Sequence, residues 1–201
     1  MKEYSEIIDV TPVPAPGETA KWLRYLLYCS IATVVLSVIT YLPFPDDWAT
    51  WVQLGLVGGT VFCLFRLEGI NPRYRKAAVY RAVYLGGILI NALLFSSTAI
   101  LLAASILSIM SVYQEYNAHS DLLAEKDPQL SRKWHSLFTW SIAAAVLAGF
   151  GSMVISVITA LMGVGAGTIV SVVLAILALP DLIVDIFYLV YLNRTVKLLE
   201  A

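Results

Sequence analysis

Long runs without a charged residue dominate this chain. Four such runs stand out, at residues 25–45, 48–65, 82–114 and 136–180. A helix needs about 20 apolar residues to cross the hydrocarbon core of a bilayer, so each of the first three predicts one span. The fourth run is too long for a single crossing, and the glycine-rich segment 163–167 marks a turn within it.

The sequence therefore predicts an all-α integral membrane protein, a bundle of five transmembrane helices. The runs are continuously apolar, whereas strands of a membrane barrel alternate in polarity. Helices satisfy every backbone polar group within the lipid. Residues 1–20 form a flexible tail, and residues 21–201 form one transmembrane domain. The predicted spans are about 22–42, 48–66, 80–113, 136–162 and 168–192.

Two pairs of residues carry the signal of a helix start. Asn71 followed by Pro72 begins the predicted third helix, since asparagine is a good N-cap and proline suits the first helical position. The second signal lies in the loop between the third and fourth spans. Asp127 followed by Pro128 is typical of a helix start, because an acidic N-cap precedes a proline whose missing N–H is not needed there. Leu130, Trp134 and Leu137 then share one side of the next turns. This pattern predicts a short helix lying in the membrane interface.

Composition supports the membrane assignment and excludes several classes of protein. Of the 201 residues, 59% are hydrophobic and only 13% are charged, against about 25% charged in a typical soluble domain. The net charge of −1 gives no basic excess for nucleic acid. A water-soluble enzyme, a disordered chain and a nucleic-acid-binding protein are therefore excluded.

Lysine and arginine in the loops set the expected orientation. With five spans and a cytoplasmic N-terminus, eight of these residues lie inside and five outside. The densest group begins the predicted third helix and suits anionic lipids of the inner leaflet, at about 1 kcal/mol per charge. We expect these residues to serve either as topology signals or as a lipid-headgroup site: Arg73, Arg75, Lys76 and Arg81.

Acidic and histidine residues on one side of the predicted bundle are the candidate site. Glu115 and His119 are four apart and share a helix face. Asp181 and Asp185 lie inside the fifth span, where an unpaired charge costs several kcal/mol, and Pro180 precedes them. The second histidine is His135. Ordinary hydrogen bonds and ion pairs explain each of these residues singly.

Topology nevertheless brings the ends of spans three and five and the start of span four to one side. Imidazole and carboxylate ligands together favour zinc, manganese or iron(II). We therefore predict a one-sided polar site that binds a divalent metal, with these ligands: Glu115, His119, His135, Asp181 and Asp185.

Three functional classes remain. Motifs for nucleotide binding, zincin proteolysis and α/β-hydrolase chemistry are absent from the sequence, and no catalytic residue is identified. A one-sided polar, metal-binding site fits best, with no reaction assigned to it, and one class is a membrane-embedded metal-dependent enzyme that acts on a lipid or isoprenoid. The alternatives are a small proton or cation transporter and a non-catalytic accessory subunit.

Expected partners are the bilayer and its anionic inner-leaflet lipids, with a second copy or a partner membrane subunit. Compact loops favour a bacterial inner membrane.

Overall fold

Six α-helices make up the described part of the molecule. A computed structural model describes residues 16–39, 47–93, 97–162 and 168–200. The helices are α1 (Pro16–Ile39), α2 (Asp47–Arg66), α3 (Pro72–Leu93), α4 (Thr98–Leu123), α5 (Pro128–Met162) and α6 (Thr168–Glu200). The tail predicted over 1–20 lies mostly outside the described residues. The turn predicted at 163–167 lies wholly outside them.

Four segments of the described chain are apolar and long enough to cross a membrane, which agrees with the prediction of a helical membrane protein. They are Gly17–Ile39, Thr98–Leu123, Pro128–Val157 and Ile176–Glu200. A shorter apolar segment, Trp51–Arg66, lies within α2. Helix α3 is more polar, because its first three turns carry the basic residues.

The continuous third span predicted over 80–113 is wrong, because two antiparallel helices occupy this part of the chain. The Ser111 hydroxyl, on α4, donates to the backbone carbonyl of Ala77, on α3, over 2.9 Å. Further along α3, a Cβ built on Gly87 would lie 3.5 Å from the Cβ of Ala104. Contacts thus move forward along α3 as they move backward along α4, which is the signature of a helical hairpin.

Length explains why the chain turns back here. The charge-free run 82–114 would form a straight helix of about 50 Å at about 1.5 Å per residue, well beyond a hydrocarbon core of about 30 Å. Helix α3 ends at Leu93 and α4 begins at Thr98. Ser97 is extended, and its backbone N–H donates to the side-chain oxygen of Asn91 over 2.8 Å. The chain therefore gains a sixth helix.

Charged contacts gather the starts of α1, α3 and α5 and the ends of α2, α4 and α6 at one end of the bundle, which we call the charged end. Arg24 near the start of α1 pairs with Glu200 at the end of α6. Arg194 pairs with Asp127 over 3.0 Å, which joins α6 to the start of α5. The end of α4 and the start of α3 meet through an ion pair of 2.9 Å between Asp121 and Arg73.

Two of the predicted helix starts are confirmed at this end. The Asn71 side chain accepts a hydrogen bond from the Arg73 amide over 2.9 Å and opens α3 at Pro72. Asp127 accepts from the amides of Leu130 and Gln129 at 2.9 and 3.1 Å. The Leu130 amide, with Arg194 and the Gln129 amide, holds the pKa of Asp127 below its ordinary value.

A separate interfacial helix is not found among the described residues. Asp127 caps α5, which continues unbroken from Pro128 to Met162. The side of its first turns that was expected to face the membrane interface faces the protein core instead, where Leu130, Trp134 and Leu137 are buried. Three apolar residues at helical spacing are equally compatible with both environments, so their spacing alone could not distinguish them.

Packing is concentrated near the charged end. There Leu23 and Leu26 of α1, Leu64 of α2 and Leu192 of α6 are fully buried. Toward the opposite end, large apolar side chains such as Leu102, Phe150 and Met153 are exposed. An exposed apolar half is what a bilayer would cover, since lipid rather than water would surround it.

The hairpin predicts a disulfide that a continuous span forbids. In a background where Cys29 and Cys63 are replaced by Ala, Gly87→Cys with Ala104→Cys should cross-link under mild oxidation, because Cβ atoms of disulfides lie about 3.5–4.5 Å apart. A continuous helix would separate these positions by about 25 Å. Loss of maleimide-reactive thiols in the purified protein measures the bond.

The neighbouring glycine supplies the matched control. A Cβ built on Gly86 meets nothing within 4 Å, so Gly86→Cys with Ala104→Cys should keep both thiols. Free thiols in the Gly87 pair, or equal cross-linking in both pairs, would contradict the hairpin.

Candidate functional site

A buried ion pair lies at the centre of the α3–α4 hairpin. Arg81 Nη2 is 2.7 Å from Glu115 Oε2, and the two side chains are 19% and 1% exposed. The Tyr188 hydroxyl of α6 donates to the other carboxylate oxygen over 2.6 Å. One oxygen of Glu115 thus accepts a hydrogen bond, and the other is held by the charge of Arg81 alone, without a hydrogen bond among the described residues. Three helices are joined at this one carboxylate.

The second member of the predicted Glu115 and His119 pair lies one turn away in the core. The Tyr74 hydroxyl and His119 Nδ1 share a hydrogen bond of 2.9 Å. His119 Nε2 lies 3.9 Å from Glu115 Oε1, beyond hydrogen-bonding distance, and has no hydrogen-bond partner among the described residues. The imidazole packs on Trp134 with ring centroids 4.5 Å apart. His119 therefore links α3, α4 and α5 within an aromatic environment.

Aromatic rings close the core between the ion pair and the charged end. Tyr116 stacks on Tyr188 at 5.5 Å and contacts Trp134 at 5.4 Å. The Trp134 indole N–H donates to the Thr195 hydroxyl over 3.3 Å, and Thr195 donates to the carbonyl of Tyr191. These contacts hold α4, α5 and α6 together, so the carboxylate of Glu115 sits in a rigid surrounding.

A polar cavity of about 240 Å³ borders the ion pair on the side of α1 and α2. Five helices contribute to its wall, and only three of its lining residues, all valines, are aliphatic. The polar and aromatic lining residues are Ser30, Thr33, Thr60, Arg81, Tyr84, Ser108, Glu115, Tyr116, Asp185 and Tyr188. In ordinary membrane-protein packing, polar side chains of neighbouring helices contact one another directly. Here several of them border an open cavity instead.

Four hydroxyl groups on the cavity wall have their hydrogen directed elsewhere and therefore act as acceptors. The hydroxyls of Ser30, Thr33 and Thr60 each donate to a carbonyl one turn earlier in their own helix, at 2.8–3.0 Å. A hydroxyl has a single hydrogen, so these three offer only lone pairs to the cavity. The Tyr188 hydrogen is likewise directed to Glu115. At these four residues a bound molecule would meet oxygen atoms that accept, whereas Arg81, Tyr84 and Ser108 on the same wall can also donate.

Asp185 is the acid of the cavity that lacks a partner among the described residues. Its side chain is exposed to the cavity, and it makes no hydrogen bond or ion pair with the described residues. Asp181 lies one helical turn further from the charged end and is half-buried outside the cavity wall. The two aspartates thus share a helix, but only Asp185 faces the same space as Glu115.

The predicted metal ligands are only partly brought together. Glu115 and His119 are adjacent, and Asp185 reaches the cavity that Glu115 borders. His135 is exposed on α5. In the part of the chain that the structure describes, no group of three or more His, Cys, Asp or Glu side chains is arranged to hold a metal ion. Metal binding at these residues stays a prediction.

The predicted headgroup residues divide into two groups. Arg75 and Lys76 are exposed at the charged end, and Arg73 there is half-exposed and pairs with Asp121. Arg81 points inward to Glu115 instead. The sequence prediction placed Arg81 and Glu115 on opposite sides of the membrane, because it treated 80–113 as one span. The run 82–114 is too long for one span, and this length was the signal that the two residues could lie together.

Tyr74 and Tyr188 are further members of the cluster that sequence reasoning missed. Tyr188 lies seven residues after Asp181, two turns along one face of α6, so it could have been placed with the aspartates. Nothing in the spacing of Tyr74 relates it to His119, since the two are 45 residues apart.

Comparisons with protein-family models, curated proteins and solved structures find no match for this chain. The function must therefore be argued from the site.

Breaking the ion pair should destabilise the bundle strongly. Arg81→Met leaves the carboxylate of Glu115 buried without its cation, and such a loss typically costs about 3–5 kcal/mol of the free energy of unfolding. The double variant Arg81→Met with Glu115→Leu should be more stable than Arg81→Met alone, because no charge is left unpaired. Unfolding midpoints in detergent measure the two variants together with Glu115→Leu alone, which completes the double-mutant cycle.

An exposed ion pair supplies the control. Arg73→Met removes a partially exposed partner of Asp121 and should cost no more than about 1 kcal/mol. If the effects of the two core substitutions simply added, Arg81 and Glu115 would not be energetically coupled, and the central role of the pair would be refuted.

Proposed function

We propose that this chain is a multi-pass membrane protein that binds a small cationic solute in the cavity beside the Arg81–Glu115 pair. The observation that carries the proposal is Asp185, a carboxylate inside a candidate span that faces a polar cavity and has no partner among the described residues. An ionisable group at such a position is costly unless it serves a site. The wall of the cavity lies near the middle of the five helices that form it.

Charge and hydrogen bonding favour a cation with N–H donors. Arg81 and Glu115 neutralise each other, so the ionised carboxylate of Asp185 leaves the cavity with one net negative charge. The serine and threonine oxygens accept hydrogen bonds, and an ammonium group offers only donors. Tyr84, Tyr116 and Tyr188 also line the cavity, and aromatic rings attract a cation when water is excluded. The proposed ligand class is therefore a small amine or ammonium ion.

Transport of that cation is a second candidate function. Asp181 continues from Asp185 by one turn toward the opposite end, and Pro180 interrupts the hydrogen bonding of α6 beside it. A second carboxylate beyond the cavity gives a cation a next position along the helix. Uptake of the bound amine into proteoliposomes, abolished by Asp181→Asn while binding persists, would distinguish transport from binding alone.

Binding should depend on Asp185 and not on Asp181. The probes are the chlorides of ammonium and ethanolamine at constant ionic strength, with choline, which has no N–H donor, as a comparison. Zinc and manganese are added separately to test the predicted metal site. A ligand at 100 times its Kd stabilises the folded protein by about 2.7 kcal/mol. The thermal unfolding midpoint in detergent should rise with at least one amine, and Asp185→Asn should remove the rise.

Asp181→Asn is the matched control, since it alters the same helix one turn away and outside the cavity. It should keep the amine-dependent rise. No rise with any amine, or an equal loss in both variants, would refute a cation site at Asp185. A rise with zinc or manganese alone that disappears in His119→Ala would support the metal site instead.

We also infer that the charged end faces the cytoplasm, in a bacterial inner membrane. The chain has 13 Lys and Arg residues, and segments 25–65, 82–125 and 134–193 contain none. All except Lys2, which lies outside the described residues, belong to helix halves or turns at the charged end. The five-span prediction put eight Lys and Arg residues on one side of the membrane and five on the other. With the additional helix of the hairpin, the described Lys and Arg residues all lie on one side. Such an excess is the usual mark of a cytoplasmic surface.

Accessibility of single cysteines separates the two topologies. In the background without native cysteines, Lys126→Cys lies at the charged end and Thr98→Cys at the opposite end, and both positions are exposed. A membrane-impermeant maleimide added to intact cells should label Thr98→Cys and leave Lys126→Cys unlabelled until the cells are lysed. The five-span topology predicts labelling of Lys126→Cys in intact cells, and that result would overturn the inference.

A further inference from the structure

A second cavity lies on the outer surface of the bundle between α5 and α6. It has a volume of about 620 Å³ and is lined mainly by apolar side chains, among them Ala143, Ala144, Leu147, Pro180 and Phe187. It is separate from the cavity of Asp185, since the two share no lining residue. We call it the α5–α6 groove.

Close contacts bound the groove at both ends. Toward the charged end, Trp134 on α5 contacts Tyr191 and Thr195 on α6. Toward the opposite end the helices approach so closely at Gly151 that an added Cβ would lie 2.6 Å from Leu177. Between these contacts, two small alanines on α5 face the part of α6 that begins at Pro180. The groove is therefore a bounded recess, not an open helix face.

Three donors lie at the end of the groove nearer the charged end. Lys133, Ser136 and Trp140 line it, and their spacing of three and four residues places them on one face of α5. None of their side chains makes a hydrogen bond or an ion pair with the described residues. An ammonium and an indole N–H donate only, so this end of the groove is built to receive an acceptor of negative charge.

We propose that the α5–α6 groove binds one anionic glycerophospholipid, with its phosphate at Lys133, Ser136 and Trp140 and an acyl chain along Ala143, Ala144 and Leu147. The length agrees with this occupant. Lys133 to Leu147 spans about 21 Å of helix, somewhat more than one leaflet of about 15 Å. A headgroup at the charged end and a chain directed to the bilayer centre therefore match the depth of one leaflet.

Charge complementarity selects this occupant over others. A second copy of the chain would have to place one exposed carboxylate, such as that of Glu125, beside Lys133 and at the same time cover the apolar wall. A zwitterionic lipid carries its own cation beside the phosphate, which weakens its attraction to a lysine. The anionic lipid meets both the three donors and the apolar wall, and its binding is independent of the proposed cation site.

Lipid retention by the purified protein tests the proposal. Native mass spectrometry of the detergent-solubilised full chain, titrated with phosphatidylglycerol or phosphatidylcholine of equal chain length, should show one tightly held phosphatidylglycerol. Removal of one charge-assisted contact should weaken this binding about tenfold in Lys133→Ala. Lys197→Ala is the matched control, because Lys197 is an exposed lysine at the charged end that does not line the groove.

A second variant tests the chain-binding part of the groove. Ala143 is exposed, so Ala143→Phe fills the groove without burying new volume in the core and should displace the lipid. Inorganic phosphate at millimolar concentration should not compete, since it has no acyl chain. Equal affinity for the two lipids, equal weakening by Lys133→Ala and Lys197→Ala, or a dimer that dissociates in Ala143→Phe would each overturn the proposal.

Discussion

The ion pair between Arg81 and Glu115 is the interaction on which the rest of this fold depends. Its carboxylate is almost fully buried, and a charge in that position must have its counter-ion beside it. The two residues are 34 positions apart, which would be about 51 Å along one straight helix. Only a turn between them brings them to 2.7 Å. The hairpin and the burial of the pair therefore require each other.

The hairpin makes the number of described helices even. This even number in turn decides at which end of the bundle the lysine and arginine residues lie. With six helices that alternate in direction, every turn rich in lysine or arginine reaches the same end. The arrangement also explains why the packed core lies near that end, since Tyr188 and His119 extend the pair into a polar and aromatic network across four helices. The opposite half needs no such network, because its exposed apolar side chains suit lipid.

Local signals in the sequence were reliable, whereas the count of crossings was not. Asn71-Pro72 and Asp127-Pro128 each begin a helix as their residue types require. The long run 136–180 was divided because glycines mark its turn, and the helix ends at Met162 and Thr168 agree. The run 82–114 has no glycine or proline near its turn, only Ser96-Ser97-Thr98. Its length alone, about 50 Å as a helix, demanded the same division.

One missed turn also hid the partner of Glu115. The spacing of Glu115 and His119 predicted a shared face, and the two are adjacent. Arg81 and Tyr74 lie on another helix, however, and contacts between distant parts of a chain follow from its topology and not from local spacing. The five-span prediction placed eight Lys and Arg residues inside and five outside. So even a distribution already argued against five spans, because positive residues normally collect on one side.

The two acids of the central cavity show why burial alone does not identify a functional residue. Glu115 cannot change its partner without leaving the charge of Arg81 unpaired in a low-dielectric interior, so its role is to hold helices together. Asp185 faces the same cavity but has no such partner among the described residues, and a cation can bind to it without breaking any existing contact. The paired carboxylate thus builds the site and makes the cavity electrically neutral apart from Asp185. The unpaired carboxylate of Asp185 is the group that the proposed cation would contact.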